Sequence, residues 1–165
     1  MAVGQTVRRL VRIGKGFDAG QSAMVTPFIG AGARQWSRNV SGPGGYHEDY
    51  SFGYVGAGLM TQFALSNRLV LTANGLAGST FSASMNTSSN GGYPITPETY
   101  QLGSTLILIA GASLDYAITD RFHTNVGVDV ADFGFGQSPV QPDYTFEPNS
   151  HTTEVTAKIG FGYSF

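Results

Sequence analysis

The feature that most constrains this chain is a two-residue alternation that persists over long segments. Between residues 23 and 165, apolar residues alternate with small or polar ones, which is the period of a β-strand whose two faces meet different surroundings. Helix is disfavoured by the density of glycine, threonine, serine, valine and aromatic residues. The alternation predicts six strands, at 23–38, 49–65, 68–84, 99–118, 121–136 and 151–165.

The last segment separates its two faces most clearly. An apolar face that ends in aromatic residues suits lipid and the membrane interface, whereas a face of glycine and charge suits the interior of a narrow barrel. The alternation gives the first face Val155, Ala157, Ile159, Phe161, Tyr163 and Phe165, and the second face Glu154, Thr156, Lys158, Gly160, Gly162 and Ser164.

Two further segments extend this prediction of faces. In the 99–118 segment, the period places Leu102, Leu106 and Leu108 outward, while Ile107 and Ile109 point inward. The segments 49–65 and 68–84 alternate less regularly, and their glycines are places where β-bulges can occur.

The lengths of the segments and of their connections favour a membrane barrel. Segments of about 15 residues exceed the usual 5–6 of globular strands and the ~9–11 that cross a bilayer. Tight turns at 66–67 and 119–120 alternate with long loops at 39–48, 85–98 and 137–150. This asymmetry is typical of outer-membrane barrels, with short turns in the periplasm and long loops outside. We therefore predict an all-β, antiparallel up-and-down transmembrane β-barrel of eight strands.

Composition excludes several other classes. Only 12% of the residues are charged and the net charge is −2, which gives no case for nucleic-acid binding. The absence of cysteine excludes disulfides, thiolate zinc sites and thiol catalysis. No segment reaches the ~18 consecutive apolar residues of a membrane helix. The basic first residues lack the apolar centre of a signal peptide.

Three stretches resemble small bacterial outer-membrane β-barrels of the OmpA/OmpX-like type. They are the terminal run 158–165, the stretch 26–38, and the strand–turn–strand at 114–122. The resemblance covers residues 23–165 and implies a location in the Gram-negative outer membrane, with outer-membrane lipid and the barrel-assembly machinery as partners. In that family the machinery recognises a terminal phenylalanine with alternating aromatics, which here implies Phe161, Tyr163 and Phe165. The signal is shared by porins, adhesins, enzymes and structural barrels, so it does not specify the function.

The number of strands departs from this family. Six strands are predicted where an even number of at least eight is expected. We separate a basic segment, 1–22, from the transmembrane β-barrel at 23–165. Residues 3–14 form either a seventh strand or, over 6–13, an amphipathic helix. The eighth strand then comes from residues upstream, from another chain, or from a miscounted bulge.

Charged residues on the inward faces predict a polar network in the lumen. Charges in a narrow barrel must pair or stay hydrated. Asp129 and Lys158 fall at similar depth on neighbouring strands and are expected to pair. The bland interpretation is an interior cluster of salt bridges, and the sharper one is a polar path for ions or small solutes. The predicted network consists of Arg34, Asp115, Asp129, Glu154 and Lys158, with Arg38 as a further candidate.

The histidines do not build a case for catalysis. His47 lies beside two acids, His151 precedes Glu154 by three residues, and His123 with Asp129 is compatible with lipid-modifying barrel enzymes. No serine stands at the spacing expected of outer-membrane lipid A deacylases, and no ligand spacing supports zinc. We predict no catalytic residues, no cofactor and no metal.

The sequence thus leaves four functions in order. The first is a structural, anchoring or loop-presenting barrel at the cell surface. The second is a porin-like small-solute channel or a pore subunit, possible in a homo-oligomer or larger complex. A lipid-modifying enzyme and a soluble lipocalin-like binding barrel follow. The last ranks lowest because 12% charge makes a poor solvent face.

Overall fold

The computed structural model describes residues 4–40, 42, 45–89, 96–142 and 144–163. Phe165, part of the predicted assembly signal, lies outside the described residues. Within the described ranges, no helix has the length and apolar character needed to cross a membrane.

The described residues form nine strands in a single antiparallel up-and-down sheet. Its hydrogen-bonded order is β1-β3-β4-β5-β7-β8-β9, with the short β2 beside β3 and β6 beside β5. The strands are β1 (Gly4–Gly14), β2 (Phe17–Asp18), β3 (Ala23–Asn39), β4 (Tyr46–Ser66), β5 (Leu69–Ser89), β6 (Glu98–Leu102), β7 (Leu106–Ala117), β8 (Phe122–Phe135) and β9 (Ser150–Tyr163).

The all-β, antiparallel, up-and-down part of the prediction is confirmed, and the basic segment is a strand. β1 pairs with β3 along its whole length, from Gly4 opposite Arg38 to Gly14 opposite Phe28. The helical alternative for 6–13 is wrong, because its residues alternate between two faces and β3 offers a complete partner edge. Since β2 continues β1, and β6 continues β7 after a short break, the nine strands make seven long arms.

The sheet is curled but is not closed into a barrel, which corrects the prediction of a closed eight-stranded barrel. Phe52 on β4 and Phe133 on β8 bring their ring centroids to 5.1 Å across the concave side. β1 and β9 nevertheless each pair on one side only within the described residues. Seven antiparallel arms leave the first and last parallel, so they cannot close the alternating pattern.

The two faces of the sheet differ as the alternation predicts, with one exception. Ile107 and Ile109 face the core, at 0% and 4% exposure, whereas Leu106 and Leu108 face outward. Leu102 was expected outward but is buried with 8% exposure. The cause is the interruption of the strand after Leu102, where Gly103 pairs with Gly136 in an isolated bridge and the two-residue period restarts at Leu106.

The irregular middle strands contain the expected bulge. The register of β4 with β5 shifts between Ser51 and Gly53, opposite Ser82, whose φ is 50°. Inward aromatic rings fill the half of the concave side nearest the long loops, and small residues on neighbouring strands make room for them. The Tyr54 ring, for example, lies directly over Gly32.

Replacing Gly32 with alanine is expected to destabilise the fold by about 1–3 kcal/mol, because overpacking forces side chains and backbone to move. A Cβ at this position would overlap both the Tyr54 ring and the backbone oxygen of Arg9. Denaturant unfolding measures the effect. Gly160→Ala is the matched control, because no atom lies within 4 Å of a Cβ built there. Equal stability of the two variants would contradict this account of the packing.

Candidate functional site

The centre of the concave side holds a cluster of charges around Asp129. Its Oδ2 accepts from Arg8 Nη2 and from Lys158 Nζ, both at 2.8 Å. The pair that sequence analysis placed at one depth is therefore in contact. Arg8 was missed as a partner, although its position on the same face of β1 as Arg12 was a usable signal once β1 was taken as a strand. Asp129 thus links β1, β8 and β9 through side chains.

A second ion pair joins strands that are distant in the sheet order. Arg34 on β3 donates through Nη2 to Glu154 on β9 at 2.9 Å. The guanidinium carbon of Arg34 also lies 4.7 Å from the centroid of the Phe133 ring. Arg34 is 2% exposed. Its Nε and Nη1, and the hydroxyl of Tyr54, have no hydrogen-bond partner among the described residues.

Asp115 does not join this cluster. It accepts from His123 Nδ1 at 2.9 Å, close to the tight turn between β7 and β8. His123 and Asp129, considered above as an acid–base pair, are not brought together, because each carboxylate is engaged elsewhere. Both side chains of the Asp115–His123 pair are about one third exposed. The pair closes the short-turn end of the sheet as a separate polar contact.

The loop end of the concave side is covered by the loop between β8 and β9. Tyr50 donates to Glu147 of this loop at 3.1 Å, and Tyr100 donates to Thr145 at 3.2 Å. Arg38, a further candidate for the lumen network, pairs instead with the buried Glu48 at this end. We call these loop-holding contacts, made by Tyr50, Tyr100, Thr145 and Glu147, the loop clasp. Sequence analysis missed the clasp because its partners are far apart in the chain.

The electrostatics of this end keep the clasp in one protonation form. Burial raises the pKa of the Tyr50 hydroxyl well above its ordinary value, with the charges of Glu48 and Glu147 adding to the effect. The hydroxyl therefore remains a hydrogen-bond donor. The hydrogen bond to Glu48 raises the pKa of the Arg38 guanidinium, which stays charged. The loop clasp is expected to persist across the neutral and alkaline range where ordinary tyrosines begin to ionise.

The change Tyr50→Phe is expected to free the 136–149 loop. It removes the donor to Glu147, a loss of about 1 kcal/mol, which corresponds to roughly fivefold more frequent opening. Hydrogen exchange of the loop amides measures this opening. Tyr144→Phe is the control, since Tyr144 lies in the same loop but its side chain is 87% exposed. Unchanged exchange in Tyr50→Phe would show that other contacts hold the loop.

The remaining histidines pair locally. His47 contacts Asn39 and Asp49, at 2.8 and 3.1 Å, and His151 contacts Asp132 at 2.9 Å rather than Glu154. Within the described ranges no three His, Asp or Glu side chains gather closely enough to hold a metal ion. What the site does chemically is to join strands through charge: Asp129, Glu154 and Asp115 are each engaged by a cationic or imidazole side chain.

The two described residues of the predicted assembly signal face outward at the end of β9. Phe161 and Tyr163 are 70% and 53% exposed. Phe161 stacks on Phe122 of β8, with centroids 6.0 Å apart. They lie at the short-turn end of the sheet, opposite the loop clasp. No family model matches the chain, and comparison with curated proteins finds no match either.

Proposed function

We propose that this chain is a bacterial outer-membrane protein, which spans the membrane as a small β-barrel and serves to anchor and present its long loops at the cell surface. The observation that carries the proposal is the reversal of the usual distribution of polarity. The convex face exposes large apolar side chains, while the ion pairs of Asp129 and Glu154 lie on the concave face. In water the convex face would be a large aggregation-prone patch, and in lipid it is solvated.

The apolar band extends over every long arm of the sheet. Arg9 is the outward charged residue of β1, and its place toward the loop end allows its long side chain to reach the headgroups. Large apolar side chains that are at least 38% exposed on the arms include Val7, Val11, Ile13, Ile29, Val55, Leu59, Phe63, Leu106, Leu108, Leu114, Val126, Val128, Val130, Val155, Ile159 and Phe161.

A structural role is favoured over conduction because side chains fill the concave side. Tyr54, Ile107 and Arg34 are at most 2% exposed, and the loop clasp covers one end. Small barrels of this kind have an interior that side chains just fill. We assign no catalytic role, because the inward carboxylates serve as partners in ion pairs and none faces a hydroxyl nucleophile held by a base. A lipocalin-like function would need the opposite polarity, with the apolar face inside.

The outer-membrane partners follow from the same proposal. Lipid contacts the convex band, and the aromatic side chains of Phe161 and Tyr163 would lie at the periplasmic interface. Barrel-assembly machinery would recognise them there during insertion.

Single-cysteine labelling tests membrane insertion, because the sequence contains no cysteine of its own. Val128→Cys places a thiol on the convex band, and Val140→Cys places one in the 136–149 loop. In lipid vesicles, a membrane-impermeant maleimide is expected to modify Val128→Cys at least about tenfold more slowly, since a thiolate in hydrocarbon is strongly disfavoured. Both valines are exposed to the probe without lipid, at 42% and 59%.

The same two variants in urea provide the control, where both thiols should react alike. Equal labelling of the two positions in vesicles would contradict membrane insertion. Protein that remains in the aqueous phase with vesicles present would also contradict it.

A further inference from the structure

The edge strands β1 and β9 face each other across an open seam. They run parallel, since the sheet has seven antiparallel arms between and including them. Inward side chains next to the seam are more exposed than those of the middle strands: Thr6, Arg12 and Lys158 are exposed, whereas Tyr54 and Ile107 are fully buried. Unpaired backbone groups along two such edges are a template for another strand.

Two ion pairs hold the edges near each other from the concave side. Arg34 reaches from β3 past β1 to Glu154 on β9, and Arg8 reaches from β1 past β9 to Asp129 on β8. Between the edges lies an open cavity of about 520 Å³, lined by Thr6 and Arg8 on one side and by Glu154, Val155 and Thr156 on the other. The seam is therefore a bounded gap, with each edge in a defined position.

The charge beneath the seam is unbalanced. Four cations, Arg8, Arg12, Arg34 and Lys158, face inward there against the two carboxylates of Asp129 and Glu154. Asp115 lies farther toward the short turns, where His123 engages it. The two nitrogens of the buried Arg34 guanidinium that lack partners among the described residues add unused donors at the same level. Buried donors of this kind are normally satisfied, so an acceptor is expected.

We propose that the seam binds one further β-strand, antiparallel to both β1 and β9, whose inward face carries a carboxylate for Arg34. Its outward face is apolar and continues the band between Val11 and Ile159. An antiparallel strand in this position pairs with both free edges and restores the alternation of directions that closure requires. The inference goes beyond the proposed function and does not depend on membrane insertion.

A second copy of the chain does not fit the seam. Pairing two β1 edges about a twofold axis is antiparallel, and it would place the long loops of the two copies on opposite sides. Joining β1 of one copy to β9 of another in a wider ring would pull apart the Arg34–Glu154 and Arg8–Asp129 pairs, which span a single seam. A single extended segment satisfies both edges and leaves these pairs in place.

Three synthetic peptides test the proposal in detergent solution. Each has eleven residues, the length of β1, and alternates valine with serine, except for one central inward residue that is Glu, Gln or Lys. The Glu peptide is expected to bind one to one and about tenfold more tightly than the Gln peptide, since hydrogen bonds to charged groups are the stronger ones. The Lys peptide should bind most weakly.

Hydrogen exchange identifies the place of binding. The amides of both β1 and β9 should exchange more slowly in the complex, whereas protection of neither edge, or of one edge alone, would overturn the proposal. Equal affinity for the three peptides would overturn the assigned carboxylate. A dimer in light scattering without peptide would favour the second-copy occupant and also overturn it.

A pair of protein variants separates Arg34 from general charge. Arg34→Met should abolish the preference for the Glu peptide, and Arg9→Met, which removes an outward arginine next to Arg8, should retain it. Preference retained in Arg34→Met would refute the role of Arg34. If Arg34→Met does not fold, the comparison of the three peptides on the unmodified chain decides the question alone.

Discussion

Val128→Arg should reduce the stability of the folded, vesicle-inserted protein by about 2–4 kcal/mol, the cost of a cation on the lipid face near the bilayer midplane. Val128 faces outward in the middle of β8, between Ala112 on β7 and Ala157 on β9. Neither neighbour offers a charge or a hydrogen-bonding side chain. Urea titration of protein folded into vesicles measures the change, which at 1.4 kcal/mol per tenfold lowers the folding equilibrium constant by at least tenfold.

The control for this prediction is Val140→Arg in the 136–149 loop. It adds the same charge at a position that is 59% exposed but lies off the strands, so stability should change by less than about 0.5 kcal/mol. A soluble protein would respond in the opposite way, because an arginine on a water-facing patch improves solubility at little cost. An unaffected or improved Val128→Arg protein would therefore refute the proposed membrane location.

Asp129→Asn should destabilise the fold by about 3 kcal/mol or more, the usual cost of breaking a buried ion pair by removing one partner. Asp129 is the common acceptor for Arg8 and Lys158, and its side chain is only 10% exposed. The neutral amide leaves two cations close together without their counter-charge. Denaturant unfolding with Asp132→Asn as the control measures the difference, since Asp132 lies on the same strand but is 39% exposed.

A double variant distinguishes lost pairing from lost packing. Asp129→Asn combined with Lys158→Met removes one of the two stranded cations, so it should recover part of the stability lost in the single variant. Additive losses would show that Asp129 does not interact energetically with Lys158. Salt should weaken the effect little, because the pair lies on the covered face.

The strands could be predicted from the sequence because their signal is local and repetitive. Alternation over a dozen or more residues places β3, β4, β8 and β9 near their observed ends. Closure could not be predicted in this way, because it depends on how the first and last arms meet. Leu102 shows the limit within one segment: a short break restarts the alternation, and nothing in the pattern of apolar residues marks it.

The site divides along the same physical line. The contact between Asp129 and Lys158 could be predicted by counting residues from the turn and from the end of the last strand, because neighbouring antiparallel strands convert sequence position into depth. Arg34 with Glu154, and Tyr50 with Glu147, join residues that are 120 and 97 positions apart. Such contacts depend on the curvature of the whole sheet, which short-range alternation does not encode.

The close fit between large inward side chains and facing glycines has an evolutionary consequence. The Tyr54 ring occupies the space that a side chain at position 32 would need, and the His123 ring does the same at position 162. Neither partner can grow alone without overlap. Divergent descendants of this chain should therefore exchange volume within each pair: a larger residue at 32 or 162 should accompany a smaller one at 54 or 123. Paired substitutions of this kind would record the curvature of the sheet in sequences alone.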